Sequence, residues 1–295
     1  MAHKPIPGSS VLRFPFSGFS GDLPLIAAVL LLAPVCAQQP RSAVKPLPSD
    51  AGAFVRELVG NELNAEKNDH TRWSYRLYRE EERGNQERQV IETARGNIAR
   101  TMLQNGKPLN AADRARDDQR LKVLAEDPAE QAHREKRERD DTQQAQDLFR
   151  SFPDAFLYQY DGEEDGLVRL AFTPNPKYSP PSRKLAVFHS LSGKLWADRS
   201  AMRLARIEGR LFEDVNFFLG LGHLEKGGTF KVVQKNVGED HWEIVSMDIN
   251  MHGRAVFFKT INVRQKQVLD GFKQVADNLT FAQAYEMLMK IEPPR

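Results

Sequence analysis

The sequence predicts an α+β protein built on a strongly curved antiparallel β-sheet, a half-barrel, which helices cover and which carries a long charged helical insertion. Three observations support this prediction. From residue 154 onward, short segments of alternating polar and apolar residues follow one another across tight turns, as in an antiparallel sheet. About ten such strands do not stay flat but curl toward a barrel. Residues 109–150, in contrast, are crowded with charged side chains.

The N-terminus carries a predicted signal peptide over residues 1–37. An apolar run of about a dozen residues, Leu23–Val35, follows the basic residues Lys4 and Arg13. The run is shorter than the ~20 residues of a membrane-spanning helix, and small residues stand where a signal peptidase would cut. We therefore expect cleavage near Ala37 and a periplasmic or secreted protein, with an uncleaved N-terminal anchor as the alternative.

The cleaved chain would contain no cysteine, because Cys36, the single cysteine of the sequence, lies inside this signal. Disulfides, thiol nucleophiles and thiolate metal sites are thereby excluded. The 42 basic and 40 acidic residues nearly balance, which argues against nucleic acid as a partner. Residues 38–50, rich in Pro, Ser and Gln, are predicted to be a disordered lead-in to a single domain over residues 51–295.

A helix and a strand are expected to open this domain. Residues 51–67 place apolar side chains near helical spacing and predict the helix. From Thr71 to Leu77 the period changes to two, with Trp73 and Tyr75 on the apolar face, which indicates a half-buried strand. Gly84-Asn85 is expected to turn the chain back into a hairpin.

The charged insertion, about residues 109–150, is predicted to form a helical hairpin. Leu121 and Leu124 belong to a short apolar stripe, and Pro128 should break or kink the helix. Beyond Pro128 almost no side chain up to Gln146 is both apolar and larger than alanine. Such a helix is solvated or supported by ion pairs along its length.

The remaining strands are predicted from alternating residues between turn signals. We expect them at residues 155–160, 167–173, 185–189, 194–198, 229–235, 241–249 and 254–263. Residues 202–212 are expected to form either a pair of strands or one long strand that bends at Gly209. Ser192-Gly193, Gly238-Glu239 and His252-Gly253 are the predicted turns in this series. The chain is expected to end in a helix that begins at Thr280, because Thr280 and Gln283 have the spacing of a capping box.

No residue pattern identifies a catalytic or metal site, and we predict neither an enzyme nor a cofactor. The histidines include no pair at the i, i+4 spacing of a helical zinc site. His189 lies beside Ser190, but neighbouring strand residues point to opposite faces, which speaks against a Ser–His hydrolase. A group of His241, Glu243 and Asp248 has no spacing that fixes a metal geometry.

Aromatic side chains supply the candidate ligand-binding residues. A curled sheet of this size either fills its interior with side chains or holds an apolar ligand. We expect the candidates to line such a cavity, and the alternative is that they form the core. The candidates are Trp73, Tyr75, Trp196, Phe212, Phe217, Phe218 and Phe257.

The C-terminal half, about residues 154–288, resembles the periplasmic lipoprotein-carrier superfamily of LolA/LolB-like half-barrels. The resemblance rests on the segment from Gly193 to Asp198, on His241–Ile244 leading to Phe257-Phe258, and on an early helix ahead of the strand with Trp73. It implies a curved antiparallel sheet with helices over its open face and an apolar cavity that shields acyl chains from water. The charged insertion is not part of that family's pattern.

These observations predict an exported, non-enzymatic protein that binds a lipid or another apolar ligand in a half-barrel cavity. A lipoprotein-carrier-like role and transient contact with a membrane are among the functions that the resemblance implies. Burial of acyl surface, worth about 25 cal/mol per Å², would drive ligand binding. The alternative is an envelope interaction or scaffold protein that binds a protein partner through the charged insertion.

Overall fold

The computed structural model describes residues 47–217, 222–255, 259–292 and 294. It shows an α+β protein with one open antiparallel sheet of 13 strands, which confirms the predicted fold class. The helices are α1 (Ala51–Asn68), α2 (Ala111–Glu126), α3 (Pro128–Ala155) and α4 (Phe281–Met289), with a 3-10 helix at Arg183–Ser190. The strands are β1 (Arg72–Glu81), β2 (Gly84–Thr93), β3 (Gly96–Gln104), β4 (Lys107–Pro108), β5 (Phe156–Glu164), β6 (Leu167–Pro174), β7 (Leu191–Asp198), β8 (Arg203–Leu211), β9 (Val215–Phe217), β10 (Gly222–Leu224), β11 (Thr229–Gly238), β12 (His241–Ala255) and β13 (Lys259–Val275).

The order of the strands in the sheet is β4-β3-β2-β1-β13-β12-β11-β8-β7-β6-β5. A short branch leaves this order where β10 pairs with β9 and with the last residues of β12. The last strand of the chain, β13, pairs with β1 on one side and with β12 on the other. It therefore joins the N-terminal strands to the strands that follow the insertion.

Helix α1 covers the part of the sheet formed by β5 to β8. Its apolar stripe, which includes Phe54 and Leu58, is buried against these strands. Glu62 on the same helix is buried and accepts hydrogen bonds from Arg203 Nε at 2.9 Å and from the Leu204 amide at 2.7 Å. Because a buried carboxylate is tolerated when it is paired, this contact fixes α1 on β8.

Helices α2 and α4 pack on the other end of the sheet, where Ile91 and Ile98 are buried beneath them. The predicted capping box at the start of α4 is confirmed. The backbone N–H of Gln283 donates to Thr280 Oγ1 at 3.2 Å, and the backbone N–H of Thr280 donates to Gln283 Oε1 at 2.9 Å. A start signal that depends on two residues three positions apart is visible in the sequence itself.

Arg100, on β3, connects both of these helices to the sheet. Its guanidinium is buried, and Nε donates to Asp118 of α2 at 3.0 Å. Nη1 donates to the carbonyl oxygens of Leu288 and Ile291 at 3.2 Å, at the C-terminus of α4. A cation at this end satisfies carbonyls that lack a partner within the helix. No strand is predicted over the residues of β3, so the sequence does not reveal the role of Arg100.

Two features of the predicted strands near residue 190 are wrong. Residues 185–189 belong to a 3-10 helix, and Ser192-Gly193 lies inside β7 instead of forming a turn. Glycine is needed at 193 because a Cβ there would lie 2.0 Å from the carbonyl oxygen of Glu208 on the neighbouring strand. Close approach of two strands, rather than a change of direction, explains this glycine.

Two other predicted turns also fall inside strands. Gly84-Asn85 opens β2, since the first hairpin turns at residues 82–83. His252-Gly253 lies within β12, where a Cβ on Gly253 would lie 2.1 Å from the carbonyl oxygen of His223 on β10. The turn predicted at Gly238-Glu239 is confirmed to within a residue, and Glu239 has a φ of 49°.

The predicted signal over residues 1–37 and most of the predicted lead-in lie outside the described residues. At the end of the lead-in, Leu47 packs against the α1 core, and the Pro48 carbonyl accepts a 2.8 Å hydrogen bond from the Tyr160 hydroxyl. The described helices include none with the length and apolar character that a membrane span requires. The domain boundaries stay a prediction.

Candidate functional site

A large groove of about 1420 Å³ lies on one face of the sheet. Residues of seven strands line it, namely β1, β6, β7, β8, β11, β12 and β13. The residues of β12 that line the groove are Asp248, Asn250 and His252, and the residues between them do not line it. The groove therefore lies on the face of the sheet to which these three side chains point. Because strands as far apart as β1 and β6 border one groove, the sheet curves around it.

One row of side chains across this groove carries charges of alternating sign, and we call it the charge ladder. Its members face each other on consecutive strands as the pairs Lys194–Glu208, Glu208–Lys231, Lys231–Asp248, Asp248–Lys266 and Lys266–Glu80. Opposite charges directly across a strand pair stabilise it by roughly 0.2–1 kcal/mol. The ladder therefore supports the sheet and also covers the groove with fixed charges of both signs.

A second row, two residues further along each strand, adds polar groups on the same face. Ser192 faces Arg210, Arg210 faces Thr229, Thr229 faces Asn250, and Asn250 faces Arg264. In total, five acidic and five basic residues line the groove. The groove has no excess of either sign, so it suits a ligand that is neutral or carries both signs better than a polyanion.

An ion-pair network extends the ladder toward β5. Asp161 Oδ2 lies 2.8 Å from Lys194 Nζ and 2.9 Å from Arg169 Nε. Glu164 pairs with Arg169 at 2.9 Å and with Arg206 at 3.3 Å. The hydrogen bond from Lys194 lowers the pKa of Asp161, and the hydrogen bond from Arg169 lowers the pKa of Glu164. Because these groups face solvent, the network mainly orients the side chains.

Four further lining residues alternate with the ladder along their strands, so their side-chain positions point to the opposite face of the sheet, where Phe172 is buried and Phe230 packs against the α1 core. Phe172, Gly193, Gly209 and Phe230 follow one another on β6, β7, β8 and β11. A Cβ on either glycine would lie 2.7 Å from the ring of the neighbouring phenylalanine. The two glycines therefore make room for the rings on the α1 side of the sheet, opposite the charge ladder.

The groove differs from the apolar interior that the sequence predicts, and none of the candidate aromatic residues with a described side chain is among its lining residues. Trp73 and Tyr75 are buried instead in a cluster on β1, where Tyr75 stacks on Phe272 with ring centroids 5.1 Å apart. Trp196 is buried, and the Arg206 guanidinium lies 3.6 Å from the centre of its ring.

The other four candidates lie around the β9–β10 branch or outside the described residues. Phe212 is 38% exposed after the end of β8. Phe217 is the last residue of β9. Phe218 and Phe257 lie outside the described residues. A ligand-binding role for the seven candidates stays a prediction.

His241, at the start of β12, contacts two residues of the α1–β1 connection. Its Nδ1 lies 3.0 Å from Asp69 Oδ2, and its Nε2 lies 3.5 Å from Thr71 Oγ1. Burial tends to raise the pKa of Asp69, but hydrogen bonds from His241 and Thr71 outweigh burial and lower it. The contact ties the α1–β1 connection to β12. In the described parts of the chain, no group of His, Cys, Asp and Glu could hold a metal ion.

The charged insertion is a helical hairpin that breaks before Pro128, as predicted, and it covers the outer edge of β3. Three of its side chains bind backbone groups of alternate β3 residues. The pairs are Asn97 N–H with Glu138 at 3.0 Å, Ala99 C=O with Arg120 at 2.8 Å, and Thr101 N–H with Asp117 at 3.0 Å. These side chains replace a neighbouring strand. Binding of a protein partner through the insertion stays a prediction.

Comparison with known proteins adds one weak likeness. No protein-family model matches the chain, and no curated protein matches its sequence. The crystal structure of a DUF1329 family protein from Desulfovibrio piger is similar over 81% of this chain and 100% of its own, with 11% identity and a TM-score of 0.30. At that TM-score we draw no conclusion from the likeness, and the resemblance to lipoprotein carriers stays a prediction.

Proposed function

We propose that the protein is a non-catalytic binding protein that holds an amphipathic, lipid-like ligand in the groove. The observation that carries this proposal is the size of the groove, together with the charges of both signs that the ladder sets across it. Its volume of about 1420 Å³ exceeds the ~300–1,000 Å³ that is usual for small-molecule sites. The ladder would contact the polar part of the ligand, and the apolar part would lie along the methylene stems of Lys194, Lys231 and Lys266.

The balance of positive and negative charges in the groove indicates which kind of polar headgroup the ligand carries. Neighbouring lysines and carboxylates, such as Lys231 with Glu208 and Asp248, offer donors and acceptors a few ångströms apart. A zwitterionic headgroup can pair with both kinds of side chain, whereas an anionic headgroup also meets the acidic ones. We therefore favour zwitterionic phospholipids over anionic ones.

Export is part of the same proposal. The apolar run Leu23–Val35 and the small residues before position 38 support cleavage near Ala37 and a periplasmic or secreted location. A protein in that location meets phospholipids at the membrane surface, so transient membrane contact belongs to the proposal as well. In its most specific form, the proposal is that the protein carries acylated proteins in the manner of lipoprotein carriers.

The test uses the mature chain purified from an exporting host. Solvent extraction followed by mass spectrometry should recover phospholipid, and a fluorescent phosphatidylcholine should bind the protein after delipidation. Absence of both signals would refute lipid binding. The alternative of a scaffold protein would then be the better account.

A variant of the ladder locates the site. Glu208→Lys sets Lys194, position 208 and Lys231 in a row of like charge, so we expect at least tenfold weaker binding of phosphatidylcholine and a shift of preference toward phosphatidylglycerol. Glu286→Lys makes the same charge change on the exposed side of α4 and is the matched control. Equal affinities of the two variants would place the lipid outside the groove.

A further inference from the structure

A second, smaller pocket lies at the end of the hairpin formed by β1 and β2. Its volume is about 310 Å³. The side chains that line it are Arg79, Glu81, Arg83, Gln86, Arg88 and Gln104. Arg79 neighbours Glu80 of the charge ladder in the same strand, and adjacent strand residues point to opposite faces. This arginine pocket therefore lies on the other face of the hairpin and shares only Glu81 with the groove, so it is independent of the groove's proposed function.

Three guanidinium groups share this pocket with one carboxylate. Glu81 forms an ion pair with Arg79. Arg88 is only 4% exposed. Burial, together with the nearby charges of Arg79 and Arg120, lowers the pKa of Arg88 to about 9, against the charges of Asp117 and Glu81. The lining of the pocket thus holds more positive than negative charge in a partly buried place, where a bound anion would be favourable.

Hydrogen bonds between side chains hold Arg88 in this pocket. Arg88 Nε donates to Gln86 Oε1 at 2.9 Å, and the Gln86 amide donates in turn to Gln104 Oε1. Gln86 therefore accepts from Arg88, Gln104 accepts from Gln86, and this chain of hydrogen bonds holds Arg88 in place. The Nε of Arg79 is buried and has no hydrogen-bond partner among the described residues.

We propose that the arginine pocket binds a phosphate group. Guanidinium groups present donors in a planar fork that matches the oxygens of phosphate, and several of them are the usual arrangement for a doubly charged anion. The pocket is at the lower end of the size range for small-molecule sites, which fits a small anion or a headgroup rather than a whole lipid. Free phosphate and a phosphomonoester lipid headgroup share this chemistry.

The experiment titrates the purified mature protein with inorganic phosphate by calorimetry, at constant ionic strength set with sodium chloride. A parallel arm measures binding to vesicles of phosphatidylcholine that contain phosphatidic acid. Arg83 is exposed, so Arg83→Gln should fold, and folding is checked by circular dichroism. Arg76→Gln is the matched control, since Arg76 is exposed, points to the other face and pairs with Asp270 at 2.6 Å.

We expect Arg83→Gln to weaken binding at least tenfold and Arg76→Gln to leave the affinity within twofold. Phosphate binding with this pattern supports the proposal for a soluble ligand. Binding to the vesicles alone, lost in Arg83→Gln, supports it for a headgroup. Arg79→Gln provides a second variant, which should weaken binding similarly. Absence of binding in both arms, or binding that Arg83→Gln and Arg79→Gln leave unchanged, would overturn the proposal.

Discussion

The two ends of the sheet differ in how the unpaired backbone groups of the outer strands are covered. At the β3 end, the two-residue strand β4 pairs only with Leu103 and Gln104, and side chains of α2 and α3 bind outward backbone groups of Asn97, Ala99 and Thr101. At β5, no strand of the described chain pairs beyond the edge, and Leu157 on it is 55% exposed. The difference shows that the charged insertion covers one edge and leaves the other edge without a comparable cover.

The covered edge gives the many charged residues of the insertion a structural role. A helix with charges all round usually indicates a solvated element. In this protein, Asp117, Arg120 and Glu138 use their charges inside the molecule, since charge-assisted hydrogen bonds to backbone groups are stronger than neutral ones. The insertion is therefore a structural partner of β3, whatever else its exposed side binds.

The largest expected effect concerns Arg100, which holds both helices at the covered end. Arg100→Ala removes its bonds to Asp118 and to the end of α4, and we expect a loss of about 3–5 kcal/mol in the free energy of unfolding. Urea denaturation measures this loss. Arg116→Ala is the control, because the Arg116 side chain is 76% exposed and should cost less than about 1 kcal/mol. Similar losses in both variants would contradict the role given to Arg100.

A smaller effect is expected at the edge itself. Glu138→Ala removes the acceptor of the Asn97 amide, and we expect a loss of about 1–3 kcal/mol. The amide proton of Asn97 should also exchange faster with solvent in this variant, while the amides between β7 and β8 keep their protection. Hydrogen-exchange mass spectrometry measures both. Unchanged exchange at Asn97 would mean that the helix does not cover the edge.

The contact of His241 with Asp69 lies away from both edges of the sheet, so its effect on stability can be compared with the effects at the edges. Because the pKa of Asp69 is lowered below 3.8 in the folded protein, its contribution to stability is present above that pH and is lost as the pH falls through the folded pKa. We expect Asp69→Asn to cost about 1 kcal/mol at pH 7. The difference from the wild-type protein should shrink below about pH 4. A difference that stays constant with pH would contradict this account.

The smallest effect is expected at the uncovered edge. Leu157→Lys changes an exposed side chain of β5, so the free energy of unfolding should change by no more than about 0.5 kcal/mol. Thermal and urea unfolding measure it. A loss as large as that of Glu138→Ala would show that β5 is covered after all, and the comparison between the two edges would fail.

Features that depend on neighbours in the chain could be predicted from the sequence. The predicted helix 51–67 corresponds to α1, Ala51–Asn68, and the capping box at Thr280 and the break at Pro128 are all observed. Each rests on spacing within a few residues. Gly193 was misread because a turn and a close strand contact both select glycine, and only the position of Glu208 on the next strand distinguishes them.

The candidate site could not be predicted for a related reason. Lys194, Glu208, Lys231, Asp248 and Lys266 are ordinary surface residues when each strand is considered alone. Their alternation appears only when the strands are aligned side by side, and several predicted turns that set this alignment were wrong. Charged residues at every second position of neighbouring strands were the available signal for a polar groove.

The charge ladder also protects the assembly of the sheet from one kind of error. A shift of a strand by one residue would expose its apolar face, but a shift by two keeps the faces and escapes that penalty. β8 carries Arg206 and Arg210 on either side of Glu208, which faces Lys194 and Lys231. A two-residue slip of β8 would set arginine against lysine on both flanks, so misaligned pairings are repelled where hydrophobic burial alone would accept them.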